Sequence, residues 1–141
     1  MTYRAVLWVA PVAAAALSLA CKPSLDDLAV WREEFPSRDL QFSAVARTVQ
    51  NGGFGSASCN TTVDLHRFGD PAGIPVLDVD CDGPVPKPYV LDNVANRGGT
   101  VGLTVRWVDS THLQIAFRGH PRVNFLAQQA AGVYISAANE T

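Results

Sequence analysis

Alternating apolar and polar residues make residues 102–119 the most strongly patterned stretch of the chain. Apolar side chains recur at every second position on both sides of a polar break, at Val101, Leu103, Val105 and Trp107 and then at Leu113, Ile115 and Phe117. A period of two residues on both sides of a turn predicts a β-hairpin whose seven apolar side chains face the core.

Shorter runs of the same alternation predict further strands at residues 40–47, 60–68, 76–81 and 133–137. We expect the first two to pair as a hairpin across the glycine-rich loop 51–58. That loop joins two strands and has no Lys-Ser/Thr after it, which favours a plain turn over a phosphate-binding loop. Residues 123–131 are compatible with either a strand or a short helix.

A different period marks the segment that precedes these strands. Its apolar residues recur every three or four positions, at Leu25, Leu28, Trp31 and Phe35. Ser24 and Asp27 have the spacing of a capping box, and Pro36 ends the pattern. We therefore predict a short helix over residues 25–34, with an extended arm as the alternative. The predicted fold class is α+β, mainly antiparallel β, with one sheet of hairpins and one short N-terminal helix in a single domain, residues 25–141.

The first 20 residues have the features of a secretion signal. Residues 1–4 carry one positive charge, residues 5–20 are largely apolar and rich in alanine, and small residues occupy positions 18 and 20. A retained membrane anchor is the alternative, but the run is shorter than the roughly 20 residues of a spanning helix and contains Pro11. Residues 1–20 are therefore predicted to be a signal peptide.

Cys21 follows this leader directly, in the order Leu17-Ser18-Leu19-Ala20-Cys21. The stretch resembles the lipobox of bacterial lipoproteins in an atypical form, with serine where leucine is usual. The resemblance implies that Cys21 is lipidated and that residues 21–24 are a tether. It also implies a cell-envelope protein that is anchored in a membrane and faces the periplasm or the exterior. Cleavage after Ala20 without lipid, giving a secreted or periplasmic protein, is the alternative.

The number of cysteines bears on the same question. The chain has three, an odd number for an exported protein. If Cys21 carries lipid, Cys59 and Cys81 remain as a pair. Their disulfide would close a loop of ~22 residues and contribute on the order of 3 kcal/mol in the chain-entropy model. A metal site on these cysteines is not predicted, since they have no CxxC spacing.

Three alternate aspartates are the sharpest chemical feature of the sequence. Asp78, Asp80, Asp82 and Gly83 match the first half of a calcium-binding loop, but Tyr89 stands where that loop has a bidentate glutamate. The favoured interpretation is the solvent face of an edge strand, where charge discourages pairing with another sheet. No cofactor is therefore predicted, and calcium bound by these aspartates is the alternative.

Charge and motif content limit the classes of function. The net charge is −2 and lysine and arginine form no run, so a nucleic-acid partner is not predicted. Residues 64–92 are mainly acidic and residues 97–122 mainly basic, which indicates either a dipolar surface or neighbouring strands that neutralise each other. His66, His112 and His120 lie in no nucleophile motif, so no catalytic residue is predicted and the chain is not expected to be an enzyme.

The order of parts also resembles small uncharacterised exported bacterial proteins, through a glycine-rich strand pair, a W-V-D-S-x-x-L-x-I hairpin and a G-V-Y-I end strand. That resemblance implies no activity. The predicted function is a non-catalytic cell-envelope lipoprotein, a binding or structural module that contacts the membrane through lipid at Cys21 and takes an envelope protein as partner. The alternatives are a secreted inhibitor or immunity-type protein against a lytic enzyme, and a small hydrolase or calcium-dependent binder. Any contact surface is expected at the glycine-rich loop, the aspartates or residues 118–122.

Overall fold

Nine β-strands and no α-helix form the part of the chain that the computed structural model describes, residues 28–52 and 58–141. They build a five-stranded sheet A, in the order β1-β2-β3-β4-β7, and a four-stranded sheet B, in the order β5-β6-β9-β8. The strands are β1 Ala29–Pro36, β2 Phe42–Asn51, β3 Ser58–Arg67, β4 Gly73–Asp80, β5 Thr104–Asp109, β6 His112–Phe117, β7 Val123–Leu126, β8 Gln129–Ala130 and β9 Val133–Asn139. In this part of the chain there is no helix long and apolar enough to cross a membrane. The predicted signal peptide 1–20, the tether 21–24 and the lipidation site Cys21 lie outside the described residues.

The predicted N-terminal helix is wrong, because residues 29–34 of it belong to β1. This edge strand pairs antiparallel with β2, and the register shifts around Val30 in a β-bulge. Trp31 and Phe35 lie opposite core-facing positions of β2, and Trp31 is completely buried. A bulge adds one residue to a strand, so the apolar positions of β1 lose their period of two and imitate the spacing of a helix.

The single predicted sheet is also wrong, because the strands divide into two. The hairpin of residues 102–119 is confirmed as β5 and β6, and the hairpin across the glycine-rich loop is confirmed as β2 and β3. However, β9 pairs with β6 in parallel. Two parallel neighbouring strands must be joined by a crossover connection. Here the chain between β6 and β9 first forms β7, at the edge of sheet A, and then β8, at the edge of sheet B. The fold class is therefore all-β instead of α+β.

The core lies between the two sheets. Sheet A contributes residues such as Trp31, Leu65 and Leu77, and the seven apolar side chains predicted around the β5–β6 hairpin are all buried on the other side. Trp107 reaches across, with its Nε1 donating a hydrogen bond of 2.8 Å to the carbonyl of Phe35. The hydrophobic contact between the sheets is thus fixed by a specific polar bond.

A disulfide ties β3 to the residue that follows β4. Cys59 and Cys81 are directly opposite each other, with Cα atoms 5.4 Å apart, and the Cys81 N–H donates to the Cys59 carbonyl at 3.1 Å. This spacing lies within the usual range for a disulfide. The predicted pairing of the two cysteines agrees with the structure.

Residues 81–103 connect sheet A to sheet B without a strand. Their centre is Asn96, whose side chain is completely buried. Its Nδ2 donates to the carbonyls of Val30, Lys87 and Val90 at 3.0, 2.9 and 3.2 Å, and its Oδ1 accepts the Lys87 N–H at 2.9 Å. One amide therefore holds this long loop against β1.

Antiparallel pairing gives sheet A two distinct ends. At the entry end, where the described chain begins, β1 starts at Ala29, β2 ends and β3 starts. At the far end, the turns 37–41 and 68–72 join the strands. Because β2 has ten residues, the two ends are roughly 30 Å apart.

Candidate functional site

A cleft of about 490 Å³ opens at the far end of sheet A. It lies on the outer face, since Ser43 and Val45 alternate along β2 with the core residues Ala44 and Ala46. We call it the His66 cleft. Its polar lining residues are Arg32, Glu34, Ser43, His66, Arg67 and Asp70.

Strand register brings the floor of the cleft together. Ser43 of β2 lies opposite His66 of β3, and Val45 lies opposite Asp64 in the same ladder. On the other side of β2, Glu34 of β1 also lies opposite Val45. Three neighbouring strands therefore present a serine, a histidine and a glutamate on one surface.

Gly73 fixes the position of the His66 ring. It is the partner of His66 in β4, and a Cβ placed on it would lie 2.6 Å from His66 Nε2 and 2.8 Å from Cε1. No side-chain carbon fits at those distances. A glycine inside a strand often marks such a close approach, and here it lets the imidazole pack on the backbone of β4.

Next to the cleft, Arg47 and Asp64 form an ion pair on the same face. Their side chains are only 15% and 12% exposed. Removing one partner of a shielded pair leaves the other charge uncompensated, so either substitution is expected to be costly. The carboxylate of Asp64 is therefore paired with Arg47 and forms no hydrogen bond that would orient the His66 ring.

Buried polar atoms without a hydrogen-bond partner among the described residues include Ser43 Oγ, Thr62 Oγ1 and His66 Nε2. All three belong to the outer face of sheet A. Most buried polar groups in proteins are partnered, and each one left without a partner costs about 1–3 kcal/mol. Ser43 and His66 line the cleft, although these two atoms themselves have almost no surface exposed to it.

The aspartate strand differs from its predicted setting. β4 is not an edge strand, because β7 covers it. The three carboxylates have separate partners: Asn60 for Asp78, Asn124 and Arg122 for Asp80, and the His120 N–H for Asp82. Across residues 28–52 and 58–141, no three His, Cys, Asp or Glu side chains are grouped so that they could hold a metal ion. The structure therefore does not bring these aspartates together as calcium ligands.

The basic residues 118–122 pack against this acidic strand. Arg122 Nε lies 3.0 Å from Asp80 Oδ2, and a Cβ on Gly119 would come within 2.2 Å of Asp82 Oδ2. Of the two interpretations of the uneven charge, this contact supports neighbouring segments that neutralise each other.

Carboxyl groups with a lowered pKa lie in turns and not in the cleft. The Ala95 N–H, followed by Lys87, lowers the pKa of Asp92 to about 2. A serine hydroxyl lowers the pKa of Asp39, and a threonine N–H lowers that of Asp109. Such bonds are typical of aspartates that stabilise turns. These pKa shifts therefore reflect turn structure and give no sign of catalysis.

Comparison of the chain with protein-family models, with curated proteins and with solved structures found no match in any of the three. The fold and the site thus define a class only, a two-sheet β domain with a polar cleft at one end of its larger sheet. Sequence reasoning named His66 but missed Ser43 and Gly73. Their shared face follows from strand register, which the alternation pattern does not supply.

Proposed function

We propose that the chain is a non-catalytic binding module of the bacterial cell envelope, anchored to a membrane through lipid on Cys21, and that the His66 cleft holds its protein partner. The observation that carries the binding role is the cleft itself, of about 490 Å³, whose lining combines the guanidinium of Arg67 with the carboxylates of Glu34 and Asp70. The anchor rests on the lipobox resemblance. The Cys59–Cys81 disulfide supports an exported, oxidising environment.

The chemistry of the cleft favours a polar ligand of mixed character. Its rim carries the guanidinium of Arg67 and the carboxylates of Glu34 and Asp70, and its floor carries Ser43 and His66. Its volume lies within the range of about 300–1,000 Å³ that is usual for binding clefts. A peptide group of a partner, which has both a donor and an acceptor, would satisfy these residues better than a simple ion.

The hydrolase alternative has a definite pair of residues to test, because Ser43 and His66 are neighbours across two strands. A nucleophilic serine needs a hydrogen bond to its base and a third group that orients the base. Ser43 Oγ and His66 Nε2 are not hydrogen bonded, and Asp64 pairs with Arg47. The arrangement therefore supports binding over hydrolysis.

Two matched variants test the cleft. Glu34→Gln and Glu33→Gln each remove one carboxylate charge of β1 that forms no ion pair with the described residues, so neither should destabilise the fold. Of these two glutamates, only Glu34 lines the cleft. Full-length wild-type and variant chains are immobilised, exposed to envelope extract and cross-linked, and the captured protein is quantified by mass spectrometry.

We expect Glu34→Gln to reduce capture of the partner by roughly tenfold, equivalent to ~1.4 kcal/mol for one weakened hydrogen bond, and Glu33→Gln to leave it unchanged. Equal capture by wild type and both variants would contradict the role of the cleft. If the captured protein is a lytic enzyme whose activity falls on binding, the inhibitor alternative is correct.

A further inference from the structure

A run of exposed apolar side chains lies on the loop just before Asn96. Tyr89, Val90, Leu91 and Val94 have exposed fractions of 66%, 55%, 57% and 82%. We call residues 89–94 the apolar loop. Large apolar side chains that are exposed together usually mark a surface that contacts a partner or a membrane.

The backbone of the apolar loop is held in place by the domain. The Tyr89 N–H donates to Gln50 Oε1 at 2.9 Å, and Asp92 Oδ1 accepts the N–H groups of Val94 and Ala95 at 3.1 and 2.8 Å. The buried Asn96 fixes the loop to β1 and to residue 87. The outward position of the apolar side chains is therefore built into the fold.

The apolar loop lies at the entry end of sheet A. The Asp92 N–H donates to the Val30 carbonyl at 3.0 Å, and the Arg32 N–H donates to Asn93 Oδ1 at 2.9 Å, both at β1. Leu28, where the described chain begins, is seven residues after Cys21. Seven residues span at most about 25 Å, so a lipid on Cys21 would hold the entry end of sheet A, with the apolar loop, near the bilayer. The His66 cleft extends from Arg32 to the turn 68–72, and that turn, where the cleft opens, lies at the opposite end of the sheet, roughly 30 Å away.

We propose that the apolar loop rests on the membrane surface and orients the domain so that the His66 cleft points away from the bilayer. Valine and leucine side chains would enter the acyl boundary, and the tyrosine would lie at the level of the headgroups, where its ring and hydroxyl are both accommodated. The one carboxylate of the loop, Asp92, is paired with Lys87 at 2.6 Å, so no uncompensated negative charge meets anionic lipid. This inference rests on the lipid anchor of the proposed function.

The test places a fluorescent label at each end of the domain. With Cys21 acylated and Cys59 paired with Cys81, a cysteine introduced by Val94→Cys is the only free thiol of the chain. The matched control is Ala72→Cys, in an exposed turn at the far end. Each acylated full chain is purified from membranes, labelled with a nitrobenzoxadiazole fluorophore and reconstituted into vesicles of phosphatidylethanolamine and phosphatidylglycerol, with and without headgroup-level spin-labelled lipid.

We expect the spin-labelled lipid to quench the label at position 94 at least about twofold and to leave the label at position 72 unchanged, while aqueous iodide does the reverse. If the protein floats with the vesicles but both labels respond to iodide alone, the membrane contact is refuted and the anchor stands. If the protein does not float, both proposals fail. Shielding of position 94 that appears only when envelope protein is added would identify a protein contact and overturn the inference.

Discussion

Replacement of Asn96 by alanine should weaken the fold by releasing the loop 81–103 from β1. The side chain is fully buried and makes its hydrogen bonds with the backbone of Val30, Lys87 and Val90. Truncation removes all of them and leaves a small cavity. The loop would then lose its main connection to β1.

The magnitude follows from the groups left behind. The Val30 carbonyl keeps a hydrogen bond from the Asp92 N–H, and residues 87 and 90 are exposed enough for water to replace part of what is lost. Counting one to two groups that stay poorly satisfied at about 2 kcal/mol each, the middle of the usual range, we expect Asn96→Ala to lower the free energy of unfolding by about 2–4 kcal/mol. A domain of this size has a total of about 5–15 kcal/mol, so the effect should be large.

The measurement is urea unfolding of the oxidised protein, followed by tryptophan fluorescence, because Trp31 and Trp107 are both buried. Asn93→Ala is the matched control: it removes one exposed acceptor, for the Arg32 N–H, and should cost less than about 1 kcal/mol. Hydrogen exchange of residues 87–95 should rise only in Asn96→Ala. If the two variants unfold at the same urea concentration, Asn96 does not hold the loop.

Three further predictions concern other features of the fold. Gly99→Ala should destabilise the fold by about 3–5 kcal/mol, because φ is +61° and the new Cβ would lie 2.1 Å from a buried threonine Oγ1. Gly132→Ala, at a similar positive φ but with open space around the new Cβ, should cost only about 1–2 kcal/mol. Equal denaturation midpoints for the two variants would contradict the packing argument. Alkylation without reduction should leave Cys59 and Cys81 unmodified in an intact-mass measurement, whereas labelling of both would exclude the disulfide. The pKa of Asp92 is lowered from 3.8 to about 2, so the contribution of its carboxylate to folding stability is complete above about pH 4 and is lost as the pH falls towards 2. Asp92→Asn should therefore flatten the curve of unfolding free energy against pH in that range. An unchanged slope would refute the lowered pKa of Asp92.

The sequence predicted well what depends on local pattern. The β5–β6 hairpin has an unbroken period of two, and its alternate residues are buried as expected. The disulfide was predicted because a lipidated Cys21 leaves two of the three cysteines, Cys59 and Cys81, to pair with each other. The prediction for the β1 segment was wrong because the bulge at Val30 breaks the period of two, and only the pairing with β2 reveals that bulge.

What depends on distant contacts could not be predicted. The parallel pairing of β6 with β9 divides the strands into two sheets, and nothing in either strand alone specifies that choice. The cleft depends on the register that sets Ser43 opposite His66 and on the space left by Gly73. Asn96 looks like an ordinary turn residue in the sequence. Its burial depends on contacts with β1, which lies more than 60 residues earlier, so the local sequence does not reveal it.

The proposed role depends on the lipid on Cys21 that would hold this domain at a membrane. The most direct test is the intact mass of the full-length chain after expression in bacteria and recovery from the membrane fraction, with Cys21→Ser as the control. We expect a protein that begins at residue 21 and is heavier than its amino-acid sequence by a diacylglyceryl group. The control should lack this added mass and leave the membrane fraction. A chain that begins at residue 21 without added mass, or that retains residues 1–20, would contradict this expectation.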